Sequence, residues 1–501
     1  MKDFLKIIKN SLVKQASFYG LFLLILLMSG MGGEPKNTSA IAQISTINFS
    51  GTVKTDVAED GPLALTSQLL TKVDRIFSQQ FADHLNVIPK NNLPLLELPD
   101  FLANIDRITG TKSAIVYVYL QPVGRNIIQE ATEAGPLDSL TGGVLPPNRD
   151  PQPTDELVLI VATAQGLFTP VPVSNVNRRD LLALQQQFQN NLTRITPKEI
   201  YLPQSTQFYE WLVTPMQEIL QKQRITHLSF ILDTGLRSLP IAALYNPRRE
   251  KYLVEEFSLG LMPSLSLTNV TRPKSKETKL LAMGADTFPD QNPLPAVPLE
   301  LDLIGNILSK GTIYLNQNFT VNNFKKAVTS REYGIVHLAT HGEFLPGDRN
   351  NSFVVFSDQN LKMDQFANTG LDQTVDLMTL SACRTALGDA QAELGFTGLA
   401  VKTGVRTAIG SLWYVSDEGT FALMTNFYKA LQQSPTKAES LRRAQRDLIE
   451  KRFESNGTEI IFNDLKIPLT AFPENIRKSL ITKDLSHPYY WSAFTLVGNP
   501  W

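Results

Sequence analysis

The chain of 501 residues contains a single cysteine, Cys383. A disulfide needs two cysteines, and structural zinc sites are built from several Cys and His residues at set spacings, so we expect neither within one chain. The thiol is therefore a buried apolar side chain, a chance occurrence or a nucleophile. Composition alone favours the first two, because free cysteine is among the most frequently buried residue types.

Two histidines precede Cys383 in the segment IVHLATHG (335–342). His337 lies inside the apolar run, and we interpret it as a core histidine. His341 follows the run and is itself followed by Gly342, which permits a close backbone approach. Ligands of open α/β sheets collect beyond the carboxyl ends of the strands, so the position of His341 favours a catalytic base.

Cys383 follows a second apolar run, in VDLMTLSACRT (375–385), and lies 42 residues after His341. This separation is compatible with neighbouring parallel strands joined by a crossover. A free thiol has a pKa of about 8.5, so an adjacent imidazole is the usual way to raise its thiolate fraction. The backbone N–H groups of Gly342 and Cys383 are then candidates for an oxyanion hole. The alternative is a buried thiol with a histidine nearby by chance, and spacing alone does not decide between the two.

Short apolar runs alternate with helical patterns through most of the chain. We predict strands at Ser113–Leu120, Glu156–Thr163, Thr226–Leu232, Lys279–Met283, Gly334–Leu338, Val375–Leu380 and Thr407–Leu412. Helices are predicted at Arg179–Ile195, Gln207–Gln223, Pro298–Leu308, Val321–Thr329, Glu393–Thr403 and Gly419–Gln432. Short apolar strands with helical connections are typical of a buried parallel sheet, so the predicted fold class is α/β, in a three-layer α/β/α arrangement.

Several long segments resemble the signature blocks of the CHAT family, which is similar to the caspase-like cysteine peptidases of the caspase–hemoglobinase and separase-like superfamily. The blocks are IVHLATHGEF (335–344), LMTLSACRTALGD (377–389), ELGFTGLAVKTGVRTAIGSLWYVSDEGT (393–420) and HPYYWSAFTLVGNPW (487–501). Two further segments, FYEWLVTPM (208–216) and HLSFILDTGLRSLPIAALYNP (227–247), resemble the blocks that open the CHAT domain. The resemblance covers residues 205–501.

The resemblance implies a caspase-like sheet made of two related halves. We expect a mostly helical or loose region at 43–110, an inactive, scaffold-like half at 111–270, and a CHAT peptidase domain at 277–501 that carries the dyad. The resemblance also implies His341 as the base and Cys383 as the nucleophile of a cysteine endopeptidase. Such an enzyme hydrolyses peptide bonds through a thioester acyl-enzyme, and no metal or other cofactor follows from that chemistry.

The sequence departs from the caspase pattern around the cysteine. Caspases have Gln-Ala-Cys-Arg-Gly, whereas this chain has SACRT (381–385), so aspartate specificity is not carried over. The alternative function is a non-catalytic CHAT scaffold or protein-interaction module that has kept the fold.

Trp413 and Asp417 follow the predicted strand Thr407–Leu412, in the block SLWYVSDE (411–418). In caspase-like peptidases, this segment forms part of the pocket for the residue before the scissile bond. The block also resembles one in separases and CHAT peptidases, which prefer a basic residue there. An unpaired carboxylate attracts Arg or Lys, so we assign Asp417 to the pocket floor and Trp413 to an apolar wall. The alternative is that Asp417 caps a helix that starts near Glu418.

The N-terminal segment 1–42 has the features of a secretory signal peptide. A lysine-rich start precedes an apolar run of 11 residues, Phe18–Met28, and the segment ends in Ala-Ile-Ala at 40–42. A membrane span needs about 20 apolar residues, so we predict cleavage before Gln43 and a periplasmic or secreted protein. The alternative is an uncleaved anchor through residues 18–28.

The composition is that of a globular protein, with 43% hydrophobic and 19% charged residues and a net charge of −1. The basic excess of a nucleic-acid-binding protein is missing, and so is a membrane-surface stripe of Lys and Arg past residue 50. The composition leads us to expect no nucleic acid and no membrane span once the signal is cleaved, and the resemblance to the CHAT family implies a protein or peptide substrate. The sequence does not specify a regulatory protein partner.

Overall fold

The computed structural model describes residues 62–85, 97–124, 150–167, 170–270, 279–344, 352–385, 393–462 and 465–501. Residues 59–501 form one compact unit. The predicted signal peptide, its cleavage site and the alternative anchor at 18–28 lie outside the described residues. Within the described residues, none of the helices combines the length and the apolar composition that a membrane span requires.

The strands of the described part form one large sheet and two small ones. In chain order they are β1 (Ser113–Gln121), β2 (Glu156–Thr163), β3 (Gly166–Leu167), β4 (Val171–Asn177), β5 (His227–Leu232), β6 (Tyr245–Asn246), β7 (Lys251–Tyr252), β8 (Ser258–Leu261), β9 (Lys279–Gly284), β10 (Gly311–Leu315), β11 (Tyr333–Phe344), β12 (Phe353–Val355), β13 (Asn360–Lys362), β14 (Leu377–Thr385), β15 (Thr407–Ser411), β16 (Phe453–Ser455), β17 (Glu459–Phe462), β18 (Leu465–Pro468) and β19 (Phe494–Gly498).

The α-helices of the described part connect these strands. They are α1 (Pro62–Leu85), α2 (Leu98–Thr109), α3 (Arg178–Thr193), α4 (Lys198–Leu212), α5 (Gln217–Lys222), α6 (Leu253–Glu256), α7 (Val297–Leu308), α8 (Val321–Thr329), α9 (Met363–Ala367), α10 (Glu393–Thr403), α11 (Asp417–Leu431), α12 (Lys437–Ile449), α13 (Glu474–Thr482) and α14 (Pro488–Trp491). Side-chain oxygens of Asn177, Thr320 and Thr436 accept backbone N–H groups at the starts of α3, α8 and α12, which fixes where these helices begin.

One large sheet crosses the whole described unit. It has 14 strands in the order β10-β9-β11-β14-β15-β19-β8-β5-β1-β2-β3, with β12, β13 and β4 paired off this path. Neighbours from β10 to β15 are parallel, β15 pairs antiparallel with β19, and β19, β8, β5 and β1 are again parallel. Strands β8, β5 and β1 therefore run opposite to β11 and β14.

Helices cover both faces of the sheet. Along β1, Ile115, Tyr117 and Tyr119 pack with α1 and α2, whereas Val116 and Val118 belong to the larger core on the other face. This alternation is what a strand buried on both faces requires. The predicted α/β class, with a mostly parallel sheet between helices, is confirmed. The predicted division into segments at 43–110, 111–270 and 277–501 stays a prediction.

The single helix predicted for Gln207–Gln223 is wrong. Helix α4 ends at Leu212, a 3-10 turn occupies Thr214–Met216, and α5 begins at Gln217. Proline at position 215 has no backbone N–H and disfavours the α conformation in the residue before it, so the helix breaks there.

Candidate active site

The strand that carries His341 is longer than predicted. The apolar run was expected to end at Leu338, but β11 continues to Phe344 because Gly342 and Glu343 pair with the hairpin strand β12. The pairing with β14 shifts register between Leu338 and His341, where β11 has one more residue than its partner. A bulge of this kind redirects the side chains that follow it, and bulges are common beside active sites.

The imidazole of His341 is held from three sides. Its Nε2 lies 2.7 Å from the backbone oxygen of Asn292, to which it donates in the neutral Nε2–H tautomer. The ring of Phe288 meets it edge-on at 4.9 Å, and Tyr414 stacks on it at 6.0 Å. Burial lowers the pKa of His341, while the Asn292 carbonyl and the charge of Glu343 partly raise it again. The lowered pKa favours the neutral imidazole, and its Nδ1 has no hydrogen-bond partner among the described residues, so it could accept a proton.

The carbonyl that holds His341 belongs to the loop 285–296, which joins β9 to α7. The loop is fixed at both ends: Asp286 N–H donates to Asn316 Oδ1 at 3.0 Å, and Ala296 N–H donates to Asp417 Oδ2 at 2.6 Å. The sequence did not predict this contact, because every residue has a backbone oxygen and the residue type therefore does not identify the one that bonds His341. The signal that was available is the position of the loop directly after a strand, at the edge where ligands collect.

Cys383 lies on β14, the neighbour of the His341 strand. The register pairs His341 with Ala382 and Gly342 with Cys383. Adjacent strands are about 4.8 Å apart, so the backbone of Cys383 is one strand spacing from the residue after His341. The cysteine was expected beyond the strand end, but β14 continues to Thr385. The Cys383 side chain lies outside the described part of the structure, so the dyad stays a prediction.

The predicted oxyanion donors lie in the same paired region. Gly342 has β14 on one side, through Cys383, and β12 on the other, through Val354. Gly342 and Cys383 therefore lie within paired strands, rather than at turns as expected from the sequence. Their role as oxyanion donors stays a prediction.

His337 is a core histidine, as predicted. Its side chain has no exposed surface, and its Nδ1 lies 3.1 Å from the hydroxyl of Tyr428, which donates to Thr379 Oγ1. On the other side, Nε2 is 2.9 Å from Oε1 of the buried Glu300, although the two groups are not aligned for a hydrogen bond. Among the described residues, neither this pair nor any other group of His, Cys, Asp or Glu is arranged to hold a metal ion.

Asp417 and Trp413 are both nearly covered. Asp417 is 8% exposed and is the first residue of α11, whereas Ser416 occupies the N-cap position. The carboxylate was predicted to be unpaired or to cap its own helix. Instead, one oxygen accepts the N–H of Ala296, the residue before α7, because the start of α11 packs against that loop. Trp413 is 4% exposed, and its Nε1 donates to the backbone oxygen of Tyr489.

Asp417 belongs to an acidic group. Burial, together with the charges of Glu300 and Glu418, raises the pKa of Asp417 to about 7, against the lowering effect of the Ala296 N–H. Glu418 forms an ion pair with Lys483. Burial, together with the charges of Asp417 and Glu418, raises the pKa of Tyr414, the residue that stacks on His341. The predicted pocket residue and the candidate base are therefore linked through one aromatic side chain.

The comparisons with known proteins give one family and several distant structures. The CHAT domain family matches residues 202–499. No curated protein matches the sequence. The separase–securin complex of Saccharomyces cerevisiae has a TM-score of 0.44 and 11% identity, covering 87% of this chain and 34% of that chain, so this chain spans about a third of its length. The complex of the pro- and mature domains of Porphyromonas gingivalis RgpB has a TM-score of 0.35 and 12% identity, covering 64% of this chain and 75% of that chain.

Proposed function

Because the chain belongs to the CHAT domain family, we propose that it is an exported cysteine endopeptidase in which Cys383 is the nucleophile and His341 the base. The observation that carries the proposal is the setting of His341. Its Nε2 is hydrogen-bonded to the Asn292 carbonyl, and its ring contacts Phe288 and Tyr414. Its strand, β11, pairs with β14, the strand that carries the cysteine.

The first half of the reaction forms the acyl-enzyme. His341 Nδ1 takes the proton from the Cys383 thiol, and the thiolate attacks the carbonyl carbon of the scissile peptide bond. The resulting imidazolium keeps its Nε2–H directed at the Asn292 oxygen, which stabilises the positive charge and fixes the ring orientation. His341 then gives the proton to the leaving amine, the C–N bond breaks, and a thioester to Cys383 remains.

The second half of the reaction removes the acyl group. His341 Nδ1 takes a proton from a water molecule, and the oxygen of that water attacks the thioester carbonyl. The C–S bond breaks, the Cys383 sulfur leaves and is reprotonated, and a carboxylic acid is released. In both halves, the N–H groups of Gly342 and Cys383 are the proposed donors to the oxyanion, which requires them to be free of the strand ladder when substrate is bound.

The proposed specificity is for a basic residue before the scissile bond. Asp417 supplies the charge, and Trp413 supplies an apolar surface. The support is the acidic group of Asp417, Glu300 and Glu418, of which Glu418 is paired with Lys483. Since Asp417 is 8% exposed, a substrate side chain reaches it only after the side chains that cover it move.

Export is the last element of the proposal, and N-terminal sequencing of the protein from its native host tests it. We expect the mature chain to start at Gln43. Recovery of a membrane-bound chain that retains Phe18–Met28 would show an anchor instead.

The experiment that tests the peptidase activity compares the wild type with Cys383→Ala. Each protein is incubated with the proteome of its native host, and new peptide N-termini are identified by mass spectrometry. We expect cleavage sites that appear with the wild type and not with Cys383→Ala. Identical profiles, together with a thiol that iodoacetamide does not alkylate in the folded protein, would favour the non-catalytic scaffold.

A further inference from the structure

A cavity lies beside Phe288, the neighbour of His341, on the side of the His341 strand away from the Cys383 strand. It has a volume of about 730 Å³ and lies at the carboxyl ends of β9 and β10, against the turn between β12 and β13. Its lining includes Phe288, Pro289, Gln317 and Asp358. This volume lies within the range of about 300–1,000 Å³ that is common for ligand sites.

Phe288 connects this cavity to the candidate base. Its ring is part of the cavity lining and also meets the His341 imidazole at 4.9 Å. The strand order β10-β9-β11-β14 then places the cavity and Cys383 on opposite sides of the His341 strand.

The proposed reaction determines the direction in which a peptide substrate lies across the two strands. The acyl half of a peptide substrate stays attached to Cys383, whereas the amine half receives its proton from His341 and leaves. The leaving nitrogen must therefore lie at His341. The peptide that continues from this nitrogen is directed toward β9 and β10, where the cavity lies.

The cavity lining favours a cationic side chain. Within this lining, all of which the structure describes, Asp358 is the single charged residue. Its Oδ1 accepts the N–H of Val321 at the start of α8 at 3.0 Å, and its side chain is exposed, so a ligand can reach Oδ2. Pro289 is exposed and adds apolar surface, whereas Phe288 is 9% exposed. A guanidinium group suits this lining, since its charge pairs with the carboxylate and its planar face packs on an apolar surface.

We propose that this cavity is a subsite for the leaving-group half of the substrate and that Asp358 selects an Arg or Lys side chain there. The proposal rests on the proposed function, because it takes its direction from the roles of Cys383 and His341. It concerns a different residue of the substrate from the one assigned to Asp417.

The experiment uses two kinds of substrate that share one acyl half. Internally quenched peptides carry Arg or Gln at each of the first three leaving-side positions, whereas a coumarin amide has no leaving-side peptide. The variant is Asp358→Asn, whose amide oxygen still accepts the Val321 N–H. The matched control is Glu199→Gln, which removes an exposed carboxylate at the start of α4.

For the wild type and the control, we expect kcat/KM to be about fivefold higher for the peptide with Arg at one of these positions than for its Gln counterpart. In Asp358→Asn the ratio falls to within about twofold of one, while coumarin-amide hydrolysis is unchanged, which also shows that the variant is folded. A wild-type ratio near one at all three positions overturns the proposal. So does a ratio that survives Asp358→Asn.

A binding measurement separates failure of the subsite from failure of the proposed function. If the wild type cleaves none of the substrates, the proposed function fails, and the cavity is tested with a fluorescent peptide that has a free N-terminal amine and Arg at the second position. We expect Cys383→Ala to bind it several-fold more tightly than Cys383→Ala with Asp358→Asn. Equal binding overturns the proposal.

Discussion

His337 and His341 lie on the same strand, on either side of a bulge, and their surroundings differ in kind. His337 has buried side chains at both nitrogens, the Tyr428 hydroxyl and the Glu300 carboxylate. His341 lies near the carboxyl end of the strand. Its Nε2 faces a backbone carbonyl, and aromatic rings contact its imidazole on two sides. His337 is a core residue with a buried polar side chain facing each ring nitrogen, although only Nδ1 has a hydrogen-bond partner. Among the described residues, His341 has a partner at Nε2 and none at Nδ1, so Nδ1 is the nitrogen that could transfer a proton.

A third histidine extends the comparison to the other end of the sheet. His227 on β5 is fully buried, with Ser258 Oγ at 3.0 Å from Nδ1 and Ser229 Oγ at 2.8 Å from Nε2. Burial lowers its pKa to about 3. Like His337, it is fully buried with a polar side chain facing each ring nitrogen, whereas no described group faces Nδ1 of His341 in this way.

The largest expected effect comes from removing the proposed base. His341→Ala should lower kcat/KM by about 10³-fold, because the variant loses the imidazole that is proposed to take the thiol proton. The rate of Cys383 alkylation by iodoacetamide near neutral pH should fall as well, since the thiolate fraction depends on the imidazole. Peptide hydrolysis and alkylation by mass spectrometry are the two measurements.

The control is His337→Ala, which should leave the alkylation rate of the folded protein within a few-fold of the wild type. The assignment of the two histidines would be reversed if His337→Ala abolished alkylation in a folded protein and His341→Ala left it intact.

His337→Ala should instead affect folding. Removing the imidazole leaves Glu300 buried beside a cavity, so we expect the free energy of unfolding to fall by about 3 kcal/mol, measured by urea denaturation. Tyr428→Phe removes the hydroxyl contact on the opposite side of the ring and should cost about 1 kcal/mol. A loss below 1 kcal/mol for His337→Ala would show that the pair with Glu300 does not stabilise the core.

Asp417 should make substrate preference depend on pH. Its pKa is raised to about 7, so the carboxyl group is neutral below that pH and negatively charged above it. The ratio of kcat/KM for substrates with Arg and with Gln before the scissile bond should therefore rise about tenfold from pH 6 to pH 8. Titration of His341 changes both rates alike and cancels in the ratio.

The matched variant is Asp417→Asn, whose amide oxygen still accepts the Ala296 N–H, so the loop that holds His341 is preserved. The ratio should become low and independent of pH. A preference for Asp or an apolar residue in the wild type, or a basic preference unchanged by Asp417→Asn, would place the selecting group elsewhere.

The sequence is most informative where a residue's own type decides the structure. The helices Val321–Thr329 and Glu393–Thr403 have the predicted bounds, and the family assignment and the α/β class are confirmed. His337 is in the core because its apolar neighbours place it there.

The details of the candidate site depend on long-range pairing instead. The bulge before His341 exists because β11 pairs with β14 while its end also pairs with β12. The contact to His341 Nε2 comes from the backbone oxygen of Asn292, and Asp417 bonds a loop 121 residues earlier in the chain. None of these contacts has a local pattern, so the sequence predicts His341 as a candidate base but does not predict the groups that hold its ring.

Tyr414 is the neighbour of His341 whose removal should have the smallest effect. Its ring stacks on the imidazole at 6.0 Å with 16° between the planes, and Tyr489 fixes the segment by donating to the Tyr414 backbone oxygen. The stack shields His341 from water, and burial is the main reason that the pKa of this histidine is lowered. Tyr414→Ala should rehydrate the imidazole and raise its pKa toward the ordinary value of about 6.5.

Since His341 acts as a base only when neutral, a higher pKa moves the acidic limb of the kcat/KM profile to higher pH. We expect a shift of less than one pH unit and a loss of a few-fold at pH 6, with the plateau above pH 8 nearly unchanged. Tyr414→Phe keeps the stacked ring and should keep the wild-type profile. An acidic limb that moves to lower pH in Tyr414→Ala, or that moves equally in Tyr414→Phe, would show that shielding by this ring does not set the pKa of His341.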